Sequence, residues 1–328
     1  MNIRKSELVS IALCTYNGAD YLREQLDSLL AQTCSWHELI VVDDCSTDAT
    51  LSILRRYAEQ DERIKVHQNS SNIGPNRNFF KTMSLCVGDI IAPCDQDDIW
   101  LPSKLEVLLS AIGTFSMAYC DSELVSATGE SMGTCMSDRV NMISSNDPSC
   151  FSFLNCVSGH ASILRREVLK RVQETPGGFN YDWWLAAVAA SLNGVVYINE
   201  VLVKHRQHAN NTTNAFSEIH PARKKIRTRG YKISALMETE KKIEALSELP
   251  GQHQQFLARF HDLWRARYMK WACPELAWVI LKHGKYLYAP QKKASSLFIA
   301  KLAYSLFWGI RIKRLTNRHA YGYTDRVD

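Results

Sequence analysis

No stretch of this sequence reaches the ~20 consecutive apolar residues a bilayer-spanning helix needs. The run from Leu297 to Ile310 is too short, and Lys301 interrupts it. Neither G-x-G-x-x-G nor G-x-x-x-x-G-K-[ST] occurs, which removes the dinucleotide fingerprint and the P-loop. None of the ten cysteines, scattered from Cys14 to Cys273, forms a C-x-x-C pair. Met1-Asn2-Ile3-Arg4-Lys5 leads into no signal-peptide hydrophobic region, so the expectation is a reduced, cytosolic chain. Internal repeats and low-complexity segments are also missing.

What is present is an ordinary globular composition, 46% hydrophobic over 328 residues, enough for a sizeable core and one or two domains. The net charge of +5 hides an asymmetry. Residues 1–214 hold 17 Lys and Arg against 25 Asp and Glu, a net −8; residues 215–328 hold 22 against 9, a net +13. That split suggests an acid-lined catalytic domain joined to a basic tail that meets phosphates or an anionic membrane, or else a merely basic helical face.

The amino-terminal third alternates strands and helices. Leu8 to Cys14 reads as a strand, Thr15-Tyr16-Asn17-Gly18 as a turn, and Leu22, Leu26, Leu29 and Leu30 fall at helical spacing. Asn17 is the expected helix cap, with Asp20 in the first turn. Leu39 to Val42 ends in Asp43-Asp44-Cys45-Ser46-Thr47-Asp48 ahead of a second helix through Leu51, Leu54 and Tyr57, for which Asp48 is the expected cap. Ile64 to Val66 gives a third strand, Gly74-Pro75 opens a third helix, and the run at Ile90 closes the series. Such alternation predicts a parallel sheet, an α/β nucleotide-binding layer.

The chemistry concentrates in Ile90 to Trp100, where Asp95, Asp97 and Asp98 follow a strand directly. In an open parallel sheet, ligands bind outside the carboxyl ends of the strands. Crowded carboxylates call for a cation, and Mg²⁺ or Mn²⁺ suits them, bridging to substrate phosphates. The competing reading is a solvated acidic turn capping the helix that Pro102 and Lys104 open.

Thr15-Tyr16-Asn17-Gly18, Val41-Val42-Asp43-Asp44 with Ser46-Thr47-Asp48, and Asp95-Gln96-Asp97-Asp98-Ile99-Trp100 together resemble the family 2 inverting glycosyltransferases of GT-A fold. Tyr181-Asp182-Trp183-Trp184, followed by His205-Arg206-Gln207-His208-Ala209-Asn210-Asn211, resembles the bacterial branch that includes rhamnosyltransferases and other O-antigen or capsule enzymes. These motifs span about residues 8–214. The resemblance implies a Rossmann-like, mostly parallel sheet flanked by helices, with a nucleotide-sugar half over about 1–100, an acceptor half over about 101–214, and a basic, mainly helical region from 215 to 328. It implies that Thr15, Tyr16 and Asn17 hold the nucleotide with Asp43 and Asp44. One acid of that pair, Asp44 ahead of Asp43, would accept the N–H of a uracil or thymine ring. Asp95 would contact ribose or metal, Asp97 would coordinate the Mn²⁺ or Mg²⁺ that bridges the diphosphate, and Asp98 would be a cap or a supporting acid.

By the same resemblance Asp182 matches the general base, the alternative being a helix cap beside core tryptophans. The segment Ser158 to Ser162 would border the acceptor pocket, with His160 equally readable as a packed core histidine. Val195 to Ile198 and Val201 to Val203 are expected to be two strands delivering His205, Arg206 and His208 to a loop. Arg206 and His208 read as diphosphate partners, and one His as reaching the metal. Residues 132–150 read as a mobile acceptor-side loop. In the basic region, His220 to Arg229 is a charged run, Ile233 to Leu249 an amphipathic helix, and Leu297 to Ile310 an interfacial helix flanked by Lys292, Lys293, Arg311, Lys313 and Arg314.

The implied partners are a nucleoside-diphosphate sugar, first dTDP-rhamnose and second a UDP-linked glucose or galactose, and a lipid-diphosphate-linked saccharide. The implied place is the cytoplasmic face of a bacterial inner membrane, in peripheral contact with anionic lipid, with no nucleic-acid partner. Two readings from other classes compete: a sugar nucleotidyltransferase, which would need a Gly-rich, Arg-containing loop after the first strand, and a non-catalytic sugar-nucleotide-binding relative.

Overall fold

A computed structural model describes residues 7–172, 174–209, 211, 229–292 and 294–308. The expected alternation is observed as β1 (Val9–Thr15), α1 (Leu22–Leu30), β2 (Glu38–Asp43), α2 (Thr50–Gln60), β3 (Ile64–Gln68), α3 (Pro75–Leu85) and β4 (Ile90–Cys94). These four strands pair in parallel in the order β3-β2-β1-β4. Residues along β1 alternate between two cores, as a strand's period of two requires. Val9, Ile11 and Leu13 join Leu22, Leu26 and Leu29 of α1 on one face, while Ala12 and Cys14 join Phe79 and Met83 of α3 on the other.

The sheet then continues in mixed fashion through β5 (Ile99–Trp100), α4 (Lys104–Ala111), β6 (Met117–Val125), β7 (Ser131–Cys135), β8 (Ser162–Arg165), α5 (Arg166–Leu169), α6 (Tyr181–Ser191) and β9 (Val195–Arg206). Its order beyond β4 is β8-β6-β9-β5, with β7 hairpinned onto β6. Residues 195–206, expected as two strands, form one. The interruption survives as register shifts opposite Cys120, Asp121 and Ser122, so the chain bulges instead of breaking. His205 and Arg206 consequently sit on a strand, and of the three expected loop residues only His208 lies beyond it.

This topology opens the sheet where the acids lie. Antiparallel β8 pairs with β4 only at Ile90 and Ile91. Pro93, which has no N–H to give a ladder, therefore sits past that pairing, where a strand tolerates proline. The chain leaves the sheet at Cys94, straight into Asp95 to Asp98. Because β8 runs the other way, the turn before it, Gly159–Ala161, is delivered to the carboxyl end of β4.

Beyond residue 228 the described chain is helical: α7 (Arg229–Ser247), α8 (Gln254–Ala266), α9 (Pro274–Leu287) and α10 (Ser296–Phe307). Leu246, Leu249 and Leu257 pack into the α3/α6 face of the main core. α8, α9 and α10 build a further core from Phe260, Trp264, Leu276, Ile280, Ile299, Ala303 and Leu306. The expected interfacial helix is thus packed along its Ile299, Ala303 and Leu306 stripe. A Cβ on Gly284 of α9 would lie 2.7 Å from Ile299 Cγ2, so only glycine lets the two helices approach this closely. The basic run His220 to Arg229 lies outside the described residues but for Arg229 at the start of α7, and Lys293, Ile310, Arg311, Lys313 and Arg314 also lie outside them.

If α10 is part of the core, Ile299→Ala should cost about 2–5 kcal/mol, as buried Ile-to-Ala truncations do. The check is the urea midpoint. An unchanged midpoint would mean that α10 contributes nothing to the fold.

Candidate active site

Each acid of the Asp95–Asp98 loop is met by histidine. His208 Nε2 lies 2.8 Å from Asp97 Oδ2, and His205 Nδ1 lies 2.9 Å from Asp98 Oδ1. His160 Nδ1 sits between two acids, 3.5 Å from Asp95 Oδ2 and 3.4 Å from Asp98 Oδ2. The imidazoles of His160 and His205 stack with centroids 4.3 Å apart. Gly159 is required here, because a Cβ would come within 1.9 Å of the Tyr181 hydroxyl. That close approach lets the turn carrying His160 tuck under α6.

The electrostatics divide the acids. Burial alone would raise the carboxyl of Asp98, but the His160 and His205 charges and hydrogen bonds from His205 and the Arg206 N–H hold it well below the usual carboxylate range. Burial likewise pushes Asp97 up, opposed by the hydrogen bond to His208 and reinforced by the negative charges of Asp98 and Asp95. Burial would lower His205, yet Asp98 outweighs it and the imidazole is shifted up toward the charged form. Behind the cluster, fully buried Lys104 donates to the His160 carbonyl at 2.6 Å and lies over the Trp100 ring. Burial lowers its pKa to about 7.

These donors fit a divalent cation. Ligand atoms of Asp98, His160 and His205 all lie within 4.8 Å of one another. Buried Asp98 Oδ2 has no hydrogen-bond partner of acceptable geometry. Carboxylate oxygen mixed with imidazole nitrogen departs from the all-oxygen set that Mg²⁺ prefers. Asp97 with His208 offers a second oxygen–nitrogen pair on the same loop. Asp98, expected as a cap or supporting acid, does not cap α4, which begins only at Lys104 after β5; it pairs with His205 and lies against His160.

Arg206 departs most from expectation. It is 2% exposed, and its donors are committed to protein acceptors. Nε donates to Asp97 O at 2.8 Å, Nη1 to Ala127 O at 2.9 Å, and Nη2 pairs with Glu24. A guanidinium so enclosed does not face a diphosphate; it holds the backbone of the acid loop in place. Its main chain contributes as well, donating to Asp98 Oδ1 at 3.1 Å.

The residues expected on the nucleotide side form a frame. Thr15 Oγ1 donates to Asp43 Oδ1 at 3.0 Å, and Ser46 N to Asp43 Oδ2 at 2.9 Å. Asp44 accepts from Asn69 Nδ2 at 2.7 Å and from the N–H groups of Ile73 and Gly74, each at 2.9 Å. Asp43 and Asp44 are both buried, and the bonds they accept hold the surrounding loops together. Asn17 adopts φ +47° and accepts from Thr47 N at 2.8 Å. It therefore clamps the turn to the β2 loop and does not cap α1, which starts at Leu22. Asp48 accepts from Thr50 N at 2.9 Å at the start of α2, as expected, and also from Ala19 N at 3.1 Å. Tyr16 is exposed at the turn's tip. Gln96, which the motif reading passed over, grips that residue's backbone from the acid loop: Tyr16 N donates to Gln96 Oε1 at 2.8 Å, and Gln96 Nε2 to Tyr16 O at 3.0 Å.

Asp182 lies in the first turn of α6, whose start is tied to α3 by the Tyr181 N–H to Asn76 Oδ1 bond of 2.9 Å. Asp182, Asp95, His160 and His205 line one cavity of about 520 Å³. Trp183 lines the same space, its Nε1 held by Phe151 O at 2.7 Å, whereas Trp184 is buried in the core. Arg139 and Val140, from the expected acceptor-side loop, line it too.

The family described as Glycosyl transferase family 2 matches residues 10–173. An uncharacterized glycosyltransferase of Rickettsia typhi is 30% identical over 219 residues, 64% of this chain and 67% of that protein. A putative teichuronic acid biosynthesis glycosyltransferase, TuaG of Bacillus subtilis, is 38% identical over 112 residues, 34% of this chain and 44% of that protein. The fold is shared with S. aureus TarS residues 1–349, in complex with UDP-GlcNAc, at TM-score 0.55 and 17% identity over 85% of this chain and 81% of that one. It is shared also with the mannosyltransferase PcManGT of Pyrobaculum calidifontis, in complex with GDP-Man and Mn²⁺, at TM-score 0.52 and 19% identity over 92% and 80%.

Arg206→Met should strip donors from the Asp97 and Ala127 carbonyls, each buried orphan costing about 1–3 kcal/mol. Urea midpoints read this directly. A diphosphate clamp would instead lose nucleotide affinity with its midpoint intact, and that result would restore the role the sequence suggested.

Proposed function

The chain belongs to glycosyl transferase family 2, and on that premise we propose that it moves a sugar from a nucleoside diphosphate to an acceptor hydroxyl with inversion. The observation that carries the reading is the single cavity lined by both Asp95 and Asp182, acids 87 positions apart delivered by β4 and α6. One belongs to the nucleotide end and the other to the acceptor end. In this reading, the frame of Thr15, Tyr16, Asn17, Asp43 and Asp44 forms the nucleoside side, with exposed Tyr16 facing the base. Residues 1–100 and 101–214 serve as donor and acceptor halves, and the helices from 229 onward wall the acceptor end.

Asp182 acts as general base. Its carboxylate takes the hydroxyl proton while the acceptor oxygen attacks the anomeric carbon and the bond to the diphosphate oxygen breaks, so configuration inverts in one displacement. Asp97 with His208 and Asp95, or Asp98 with His160 and His205, would hold the divalent ion. When bound, such an ion stabilises charge on the departing diphosphate. Lys104 and Arg206 keep the acid loop and the His160 turn in register, which matters because small displacements of positioning groups are costly in rate.

By motif resemblance dTDP-rhamnose is the first candidate donor and UDP-linked glucose or galactose the second. A place in bacterial surface-polysaccharide synthesis, on a lipid-diphosphate-linked saccharide, is supported by that resemblance and by the likeness to TuaG. Contact with the inner face of the plasma membrane is supported by exposed Trp271, Trp278, Tyr304 and Trp308, interleaved with exposed Lys282 and Lys301. Amphipathic aromatics beside lysine suit an anionic interface. No helix among the described residues is long and apolar enough to cross a membrane.

Two acids should fail differently. Asp182→Asn should lower kcat by at least ~10² while leaving donor affinity in place, because a proton acceptor works only in the transition state. Asp97→Asn, like chelation, should weaken donor binding as well as turnover. Steady-state kinetics with nucleotide titrations separate the two, and product NMR reads the anomer. Near-wild-type turnover in Asp182→Asn, or a retained configuration, would sink the mechanism.

Vesicles of anionic phospholipid should bind the protein at low salt and release it as salt rises, since screening weakens surface attraction. Trp278→Ala with Trp308→Ala should reduce that binding in a flotation assay. Equal flotation on neutral vesicles, or none on anionic ones, overturns the membrane reading.

A further inference from the structure

Beside the two acids of the cavity stands a phenol that the displacement does not use. Tyr181, the first residue of α6, is 8% exposed and lines the cavity next to Asp182. Its ring is fixed from α3. It stacks on Phe79 with centroids 3.9 Å apart and planes 14° from parallel, and the Tyr181 N–H is held by Asn76 Oδ1 at 2.9 Å. The far end of the ring lies against the turn that carries His160, where a Cβ on Gly159 would come 1.9 Å from the hydroxyl. Tyr181 therefore runs from the element that supplies Asp182 to the turn whose His160 faces Asp95 and Asp98.

The hydroxyl at that end is unused by the fold. Among the described residues it makes no hydrogen bond, and a sealed hydroxyl without a partner would be destabilising; this one instead keeps surface on the cavity. Burial, then the charges of Asp95 and Asp182, push the phenol well above its ordinary range, so at neutral pH it stays an uncharged donor. A held ring with an open hydroxyl is preorganised for a ligand, because little side-chain freedom is left to lose on binding.

Position picks out the ligand. In a single displacement the anomeric carbon lies between the acceptor oxygen, deprotonated by Asp182, and the diphosphate oxygen that departs toward the acid loop. A group reaching from α6 to the His160 turn spans that interval, and so it meets the sugar in transit. The chemistry agrees. A neutral O–H close to two carboxylates suits the uncharged hydroxyls of a hexose, to which it can donate and from which it can accept, whereas a diphosphate calls for charged donors. We propose that Tyr181 is a substrate-binding residue whose hydroxyl hydrogen-bonds a hydroxyl of the transferred sugar. This rests on the glycosyl-transfer reading of the cavity. Phe79 and Asn76 then act as positioning residues for the phenol, and Gly159 leaves the space that its hydroxyl occupies.

The test is Tyr181→Phe in the full chain, which keeps the stack on Phe79 and removes one oxygen. Calorimetry with Mn²⁺ present measures UDP-glucose, UDP-GlcNAc, dTDP-rhamnose and GDP-mannose on wild type and variant, each beside its bare nucleoside diphosphate. For the sugar nucleotide that the wild type binds, the variant should lose about 3- to 10-fold in affinity, the scale of one neutral hydrogen bond, while the bare diphosphate binds as before. The urea midpoint should hold or rise, because the fold makes no use of this hydroxyl. Among monodeoxy forms of the bound donor, one should bind wild type and variant equally, which identifies the sugar hydroxyl concerned. Unchanged affinity for the sugar nucleotide, an equal loss for the bare diphosphate, a lowered midpoint, or a loss that persists with every monodeoxy form overturns the proposal. If no sugar nucleotide binds the wild-type chain, the glycosyl-transfer reading falls and this proposal falls with it. If one binds and the variant binds it equally well, that reading stands and only the role of Tyr181 is excluded.

Discussion

Three carboxylates within four residues, one of them wholly enclosed, persist at the end of a strand only if positive charge and donors are brought to them. That requirement governs the architecture around β4. His160 arrives because β8 runs antiparallel and sets its preceding turn against the strand's end. His205 and Arg206 arrive because β9, pairing with β6 over nine positions, carries them back to the same place. Their joint effect is to keep Asp98 ionised despite complete burial, and an ionised Asp98 in turn favours the charged form of His205. Neither half of the pair has a reason to sit there without the other. The coupling runs through Arg206 N and Nε, which tie Asp98 and the Asp97 carbonyl to one strand end.

The end that carries Asp43 and Asp44 is built on a different plan. Its acids are satisfied by N–H and hydroxyl groups from neighbouring loops, so Asp43 and Asp44 act as pins for β1, β2 and the turn before α3. Gln96 joins this frame to the acid loop through both the donor and the acceptor of the Tyr16 backbone, and a Cβ at Gly18 would lie 2.2 Å from its Oε1. The acid loop and the turn after β1 are therefore linked through one amide side chain. Any shift of the acid loop would be felt at the turn after β1.

How far the sequence revealed this depends on the range of the interaction concerned. The strand–helix alternation up to Cys94 was legible because each element is local and its apolar period stands out in a short window. The acid loop and Asp182 were legible as motifs. The fate of Arg206 was not, since a guanidinium can meet phosphate or carbonyl oxygen equally well, and only the fold places Ala127, Glu24 and the Asp97 carbonyl around it. The bonds that Asp44 accepts were hidden for the same reason: its partners Asn69, Ile73 and Gly74 follow a whole helix and strand later. His160 was left undecided between core and site, and Asp98 was set aside as a cap or supporting acid. Each becomes part of a cluster only when β8 and β9 are laid beside β4. Gln96 carried no such signal, because the Tyr16 backbone that it grips lies 80 positions earlier.

The helical region changes what the charge asymmetry means. A net +13 over residues 215–328 reads from sequence as a tail attracted to something anionic outside the protein. The structure divides that charge among different surfaces. Lys242 and Lys292 turn into the cavity, while Lys282 and Lys301 lie on the exposed, aromatic side of α9 and α10. The apolar stripe that suggested an interfacial helix is used internally, against Gly284 and Ile280. Among the described residues, the opposite face exposes Trp278, Tyr304 and Trp308. One helical layer thus presents positive charge in two directions, toward the cavity that holds Asp182 and toward the outside.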